Sequence, residues 1–315
     1  KHLRTCLDAL NAQTFRDFET IIVDNASGDG SVDFIRNGYS EVKIIVNTEN
    51  TGFSRAVNAG IRAASGEIIA LLNNDTDADP GWLAAAVSAL DRHPEAGMIA
   101  SRVMFMDRRD VIDSCGDLYT PWGAVFNRGH DLPFGPEFSR EEEIFGICAS
   151  AALVRREVFD RIGMFEENFF AYYEDIDLNI RVRLAGWKCI YAPDAVMYHG
   201  YSSSTSGRTV KLGREEVYLH LTCVWLKNMP AALMLRHLPS ALAFHSMIIA
   251  FYILARLRGK AMLPRVQFFS LMRKSLAQRK TVKGYTKVPA AEFSRELLKL
   301  GFPRYILDEL KAKRG

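Results

Sequence analysis

The chain has no Cys-x-x-Cys pair, and its five cysteines, Cys6, Cys115, Cys148, Cys189 and Cys223, are scattered and odd in number. That excludes a zinc ribbon and a dithiol redox motif, and it fits a reducing compartment. Neither Gly-x-Gly-x-x-Gly nor Gly-x-x-x-x-Gly-Lys-Ser/Thr occurs, which argues against a dinucleotide dehydrogenase and a P-loop nucleotidase. Internal repeats and low-complexity tracts are missing too. The chain does not start with Met and opens inside a helical pattern, KHLRTCLDALNAQ, which we read as a truncated start. A missing leader therefore carries no weight.

What is present is an uneven charge. Residues 1–200 hold 19 Lys and Arg against 31 Asp and Glu; residues 201–315 hold 21 against 6. The overall +3 thus hides an acidic body and a basic tail. A basic tail implies an anionic partner, a membrane surface or nucleic acid. At 315 residues with ordinary apolar content, the chain can build one large α/β domain plus an extension.

Short β-rich runs alternate with helical patterns. FETIIVD, VKIIVN, EIIALLNND and AGMIASRVMF read as strands, while SRAVNAGIRAA and the stretch after Pro80 read as helices. Such alternation predicts a doubly wound, mostly parallel, Rossmann-like sheet with ligands at the carboxyl ends of its strands. From Asp107 to Glu143 the pattern dissolves into Gly, Pro and charge, which reads as a long loop over the site. Order returns with IFGICASAALVRREVFDRIG, a strand running into a helix.

Five stretches carry the chemistry. LLNNDTDADPGW puts Asn73, Asn74 and Asp75 directly after a buried strand, where a carboxylate is held rigidly and can bind Mg²⁺ or Mn²⁺. The plainer reading is a polar loop in which Asp79 caps the next helix. Asp24, in VDNASGDGS, also ends a strand; it can accept the N3–H of a pyrimidine ring or simply close an Asx-turn. NTENTGFSRAVNAG carries Gly52 into a helix start suited to phosphate or ribose. In NFFAYYEDIDLNIRVRLAGW, Glu174, Asp175 and Asp177 fall in a first helical turn, where the dipole favours acids, and Asp177 can pair with Arg181. Capping leaves the aromatics before them unexplained; an apolar wall raises a carboxylate's pKa and suits a base beside a sugar. His199, in MYHGYSSS, follows a short strand and is either structural or a metal ligand.

The order of these stretches resembles family 2 of the inverting glycosyltransferases, and above all rhamnosyltransferase-like bacterial members with a GT-A fold. The resemblance covers about residues 1–205; the family's first strand is missing, in keeping with a truncated start. It implies that Asp24 contacts the nucleotide base and that Asn50, Gly52 and Asn58 line nucleotide and ribose. It places Asn73-Asn74-Asp75 at the family's Asp-x-Asp position, with Asp75 as the direct metal ligand and Asn73 in place of the first acid. It assigns the base to the Glu174-Asp175 pair, on Asp175, and lets His199 complete the metal site.

The tail, 206–315, reads as basic and apolar helices. Leu238–Ala255 has 18 residues without formal charge, at the lower limit for a membrane span, but contains Pro239, Ser240, His245 and Ser246. RVQFFSLMRKSLAQRK is amphipathic and strongly basic. We expect helices lying on, or dipping into, an anionic leaflet on the cytoplasmic side of a bacterial plasma membrane, and not nucleic-acid binding. The expectation is a metal-dependent inverting glycosyltransferase acting from a dTDP- or UDP-sugar, with rhamnose as one candidate, on a polysaccharide or lipid-linked glycan. The competing readings are a non-catalytic glycan-binding scaffold of the same fold and a sugar nucleotidyltransferase.

Overall fold

The computed structural model describes residues 2–200, 214–257 and 265–302. These form two compact units: one drawn from 1–117, 127–183 and 187–210, the other from 118–126, 184–186 and 211–315. The second unit thus includes two short internal segments that a linear reading does not anticipate. The expected junction at 205/206 lies outside the described residues.

The first unit starts with α1 (His2–Asn11), β1 (Ile21–Asp24), α2 (Ser31–Gly38), β2 (Lys43–Val46), α3 (Phe53–Ala63), β3 (Ile68–Leu72), β4 (Thr76–Ala78), α4 (Trp82–Arg92) and β5 (Ala96–Phe105). In chain order there follow β6 (Ile112–Ser114), β7 (Asp117–Tyr119), β8 (Val125–Asn127), β9 (Glu142–Ile144), β10 (Ala151–Arg155), α5 (Arg156–Ile162), α6 (Glu174–Leu184) and β11 (Lys188–His199), with the 118–126 part of β7 and β8 belonging to the second unit. The stretch expected to be one long loop, 107–143, therefore holds short strands. Runs of three residues between Gly and Pro are too brief to show a period of two.

β1 and β2 pair in parallel, with α2 as the crossover. The main sheet runs β3-β10-β5-β11-β4, with β6 added on β5 and β9 on β11. It is mixed rather than mostly parallel. β5 and β11 are parallel, whereas β10 is antiparallel to both β3 and β5. The reason is the connection: the chain from β5 to β10 contains short strands and no crossover α-helix, so it returns antiparallel. β3, β5 and β11 still point the same way. Their carboxyl ends, and the start of β10, share one edge: Leu72 lies opposite Ala151, and Phe105 opposite His199. That edge carries the site.

The core is built where α4 covers the sheet. Trp82, Ala86, Ala89 and Leu90 pack on Ile99, Val103, Leu153, Ile190 and Met197. α4 begins just after Pro80: Gln13 accepts the Leu83 amide at 3.0 Å, and Asp79 accepts the Gly81 amide at 2.9 Å, satisfying donors the helix leaves open.

In the second unit, α7 (Arg214–Asn228), α8 (Ala231–Arg236), α9 (Leu238–Leu257), α10 (Arg265–Tyr285) and α11 (Ala290–Glu296) gather around the 118–126 segment. Trp122 is fully buried, stacks edge-on against Phe244 with centroids 5.0 Å apart, and donates to the Leu300 carbonyl. Arg279 donates to the carbonyls of Leu226 and Met229, capping the end of α7. Among the described residues no helix is long and apolar enough to cross a membrane.

Candidate active site

β3 delivers Asn73, Asn74 and Asp75 to the sheet edge. The Asn73 amide donates to Ser150, and its carbonyl accepts from the Thr76 hydroxyl at 2.6 Å, which fixes the turn. Asp75 is 3 % exposed. The β4–β11 pairing sets Thr76 opposite His199, and Gly200 donates to the Asp75 carbonyl. These contacts bring His199 Nε2 to 3.4 Å from Asp75 Oδ1. The other ring nitrogen, Nδ1, lies 2.7 Å from Asp113 Oδ2. Burial works against the imidazolium, but hydrogen bonds to Asp113 and Asp75 outweigh it and push His199 up to about 9.

Asp75 and His199 are a hard oxygen and an imidazole, a donor pair suited to Mn²⁺ or Mg²⁺. Neighbouring corners of an octahedral ion with ligands about 2.1 Å away are about 3 Å apart, close to the observed separation. Among the described residues no group of three or more His, Cys, Asp or Glu is arranged to hold a metal. Two protein donors suffice for an ion that takes its remaining ligands from phosphate and water.

The second cluster stands at the start of α6. Tyr172 and Tyr173 both adopt left-handed backbone (φ 71° and 66°), a rare conformation for such side chains. This turn feeds Glu174 inward and leaves Asp175 partly exposed. Asp175 accepts from the Ala149 amide at 3.4 Å and from its neighbour Ile176 at 2.9 Å. Burial raises its carboxyl, and these amides temper the rise. Glu174 is 6 % exposed, and its Oε2 has no hydrogen-bond partner. Burial, and then the charge of Asp175, holds it well above the usual carboxylate range. Asp117, on β7, is likewise raised by burial and by Asp175. Asn179 donates to the Ile147 carbonyl at 2.8 Å and to Asp117 at 3.4 Å, and accepts the Ile147 amide, pinning the 146–147 turn beside the acids.

The third cluster joins the loops after β1 and β2. Asp24 accepts the Ser27 amide at 3.0 Å, the Asx-type turn that the Gly- and Ser-rich sequence favours. Asn25 is the hub. It donates to Asn50 and to the Gly52 carbonyl and accepts from Asn47 and Thr51. Gly52 has φ 85°, and a Cβ there would lie 2.5 Å from the Phe170 carbonyl, so only glycine fits. Asn50, Thr51, Arg55, Glu167, Asn168 and Phe170 line a pocket of about 340 Å³. Asn58 does not line it. It is 1 % exposed and spends its amide on Phe165 and Glu167, holding the far wall in place.

The sequence singled out neither Asp113, Asp117, Asn25 nor Asn179. The signal for the first two was there: VIDSCGDLY sets two acids four apart between apolar residues. Asn25 sat in a stretch already accounted for as a turn.

Comparison with known proteins agrees with this geometry. The family described as glycosyl transferase family 2 matches residues 1–163, just over half the chain. The N-acetylglucosaminyl-diphospho-decaprenol L-rhamnosyltransferase of Mycobacterium tuberculosis is 28 % identical over 231 residues, 65 % of this chain and 73 % of that one. Two solved structures share the GT-A type of α/β fold. GalNAc-T7 with UDP, GalNAc and Mn²⁺ has a TM-score of 0.57 at 14 % identity, covering 71 % of this chain and 45 % of that one. The Pyrobaculum calidifontis mannosyltransferase PcManGT with GDP-Man and Mn²⁺ has a TM-score of 0.51 at 19 % identity, covering 90 % and 81 %. On the strength of the family match over more than half its length, the chain belongs to glycosyl transferase family 2 and is a glycosyltransferase.

Proposed function

We propose that the chain transfers a sugar from a nucleoside diphosphate donor by a single, inverting displacement that depends on a divalent cation. The observation that carries this reading is the meeting of Asp75 and His199, 3.4 Å apart at the carboxyl edge of the sheet. They would hold Mg²⁺ or Mn²⁺, which when bound supplies charge neutralisation at the diphosphate leaving group. Asp175 accepts the proton of the attacking hydroxyl. Inversion needs one ionised base and no enzyme nucleophile. Of the adjacent acids, Glu174 is the more deeply buried and its carboxyl is held well above the usual range, which leaves Asp175 as the base.

On the donor side, Asp24 spends one oxygen on the Ser27 amide, and the other is the proposed acceptor for the N3–H of thymine or uracil. Asn50 and Gly52, braced by Asn25, face the nucleotide and ribose. Asn73 and Asn74 flank the diphosphate beside Asp75, and Asn58 acts at one remove by holding Phe165 and Glu167. The rhamnosyltransferase relative, whose printed name specifies a diphospholipid-linked N-acetylglucosamine, supports a rhamnosyl donor and a lipid-linked glycan acceptor. The exposed apolar side of α9, with Leu242, Met247, Phe251 and Leu254, supports docking on the cytoplasmic leaflet of a bacterial membrane.

The test is a thermal shift with dTDP, UDP and GDP, each with and without Mn²⁺, on the chain and on Asp75→Ala. A ligand that binds only the folded state raises Tm by mass action. We expect a Mn²⁺-dependent rise with dTDP or UDP that Asp75→Ala abolishes. No rise with any nucleotide would instead favour a non-catalytic protein of the same fold.

A further inference from the structure

His199 has two ring nitrogens, and a metal can use only one that is free of a proton. Asp113 faces the other. Its Oδ2 lies 2.7 Å from His199 Nδ1, and it is itself held from behind: His130 Nδ1 is 2.7 Å from the Asp113 carbonyl and 3.4 Å from its Oδ1. β6 fixes its place, pairing Ser114 with Val103 and Ile112 with Met104 of β5. β5 in turn sets Phe105 opposite His199.

A carboxylate accepts hydrogen bonds and has none to give, so Nδ1 must carry the proton. Nε2 faces a second carboxylate, Asp75, at 3.4 Å; with a cation between the two, Nε2 is the nitrogen left to give up its proton and offer the lone pair. Asp113 is buried, and a carboxylate removed from water needs partners to offset its lost hydration. Such a residue does more than decorate a surface.

We propose that Asp113 is the positioning residue of the cation site: it fixes His199 as the Nδ1–H tautomer and aims Nε2 at the space beside Asp75. The proposal rests on the reading that Asp75 and His199 hold the cation. Asp113 does not itself touch the ion or the substrate.

The experiment is calorimetric titration of Mn²⁺, alone and with UDP, into the full chain and its variants. Asp113→Ala removes the acceptor and should weaken Mn²⁺ binding about 10- to 100-fold, as loss of an outer-shell partner does. Asp113→Asn keeps a carbonyl oxygen for Nδ1–H and should lose less. UDP binding without metal should not change, which separates positioning from general damage. Asp75→Asn and His199→Ala test the parent reading. If both bind Mn²⁺ as the unsubstituted chain does, the cation site is misplaced and this inference falls with it. If they lose binding while Asp113→Ala keeps full affinity, only the role of Asp113 is overturned. Should Asp113→Ala fail to fold, the ¹⁵N spectrum of His199 in the Mg²⁺-loaded, unsubstituted chain decides. An Nδ1–H imidazole supports the proposal, and an Nε2–H imidazole overturns it.

Discussion

Glu174 and Asp175 are neighbours in sequence that the left-handed turn at Tyr172 and Tyr173 sends into different surroundings. Glu174 is buried with Oε2 unbonded, while Asp175 is partly exposed and accepts two backbone amides. Two acids side by side cannot both stay ionised cheaply in a poorly hydrated site. Environments that push their pKa values apart separate their roles.

Asp175→Asn should therefore cut transfer by about 10²- to 10⁴-fold, the usual worth of a general base. Glu174→Gln, which replaces a buried acid by a neutral amide of the same shape, should stay within about tenfold of the unsubstituted rate. Burial raises the Asp175 carboxyl, so a base at this position would have to lose a tightly held proton. The acid limb of kcat/KM should lie above the ordinary carboxylate range. A limb near the ordinary value of about 4 would remove Asp175 from this role.

Asp117 gives a stability prediction. Burial, then the charge of Asp175, raises its carboxyl well above the usual range. An acid whose folded pKa exceeds its unfolded value binds its proton more tightly when folded. Its contribution is full below about pH 4 and is lost as pH rises through the folded pKa. Asp117→Asn needs no proton to stay neutral and can still accept from Asn179. It should be more stable than the unsubstituted chain at pH 8 by about 1 kcal/mol or more, and equal to it near pH 4. Denaturant melts at the two pH values check the sign.

The parts of this arrangement that are local were legible in the sequence. The acid Asp24 at the end of β1, the acid Asp75 shortly after β3, the helix-opening acids at 174–177 and the Asp177–Arg181 pair all follow from local pattern; that pair forms at 2.8 Å. What spacing cannot show is which distant elements meet. Asp113 comes into register with His199 only because β6 and β11 flank the same strand, β5. Asn58 is placed among the residues lining nucleotide and ribose by the family resemblance alone. Its helical phase turns it to Phe165, more than a hundred residues on. The sheet's mixed direction was hidden for the same reason, since β10 is read correctly as a strand while its neighbours are set by a long connection.

Gly52→Ala tests the loop that carries Asn50. The added Cβ meets the Phe170 carbonyl at 2.5 Å in a backbone with φ 85°. The expected cost is about 1–3 kcal/mol, with the Mn²⁺-dependent nucleotide shift weakened as the 167–170 wall moves. Gly28→Ala, where a Cβ meets nothing within 4 Å, should stay within about 0.5 kcal/mol. Equal melting temperatures for the two would mean that the 52–170 contact does not constrain the loop.

The helix α9 is apolar on both sides but buries one. Ala241, Phe244, His245, Ile248 and Tyr252 face inward, while Leu242 and Phe251 are 58 % and 49 % exposed. α10 adds exposed Arg273, Lys280 and Lys283, a cationic complement for anionic headgroups. Inserting one Leu or Phe into acyl chains gains about 1.5–3 kcal/mol. The double substitution Leu242→Asp, Phe251→Asp should therefore lower affinity for phosphatidylglycerol vesicles at least about 100-fold. Circular dichroism should not change, because neither side chain is in the core. Added salt should weaken binding of the unsubstituted chain, since the basic residues act through a screened field. If the doubly substituted chain binds vesicles as before, the apolar side of α9 does not enter the bilayer, and the membrane must be met elsewhere or not at all.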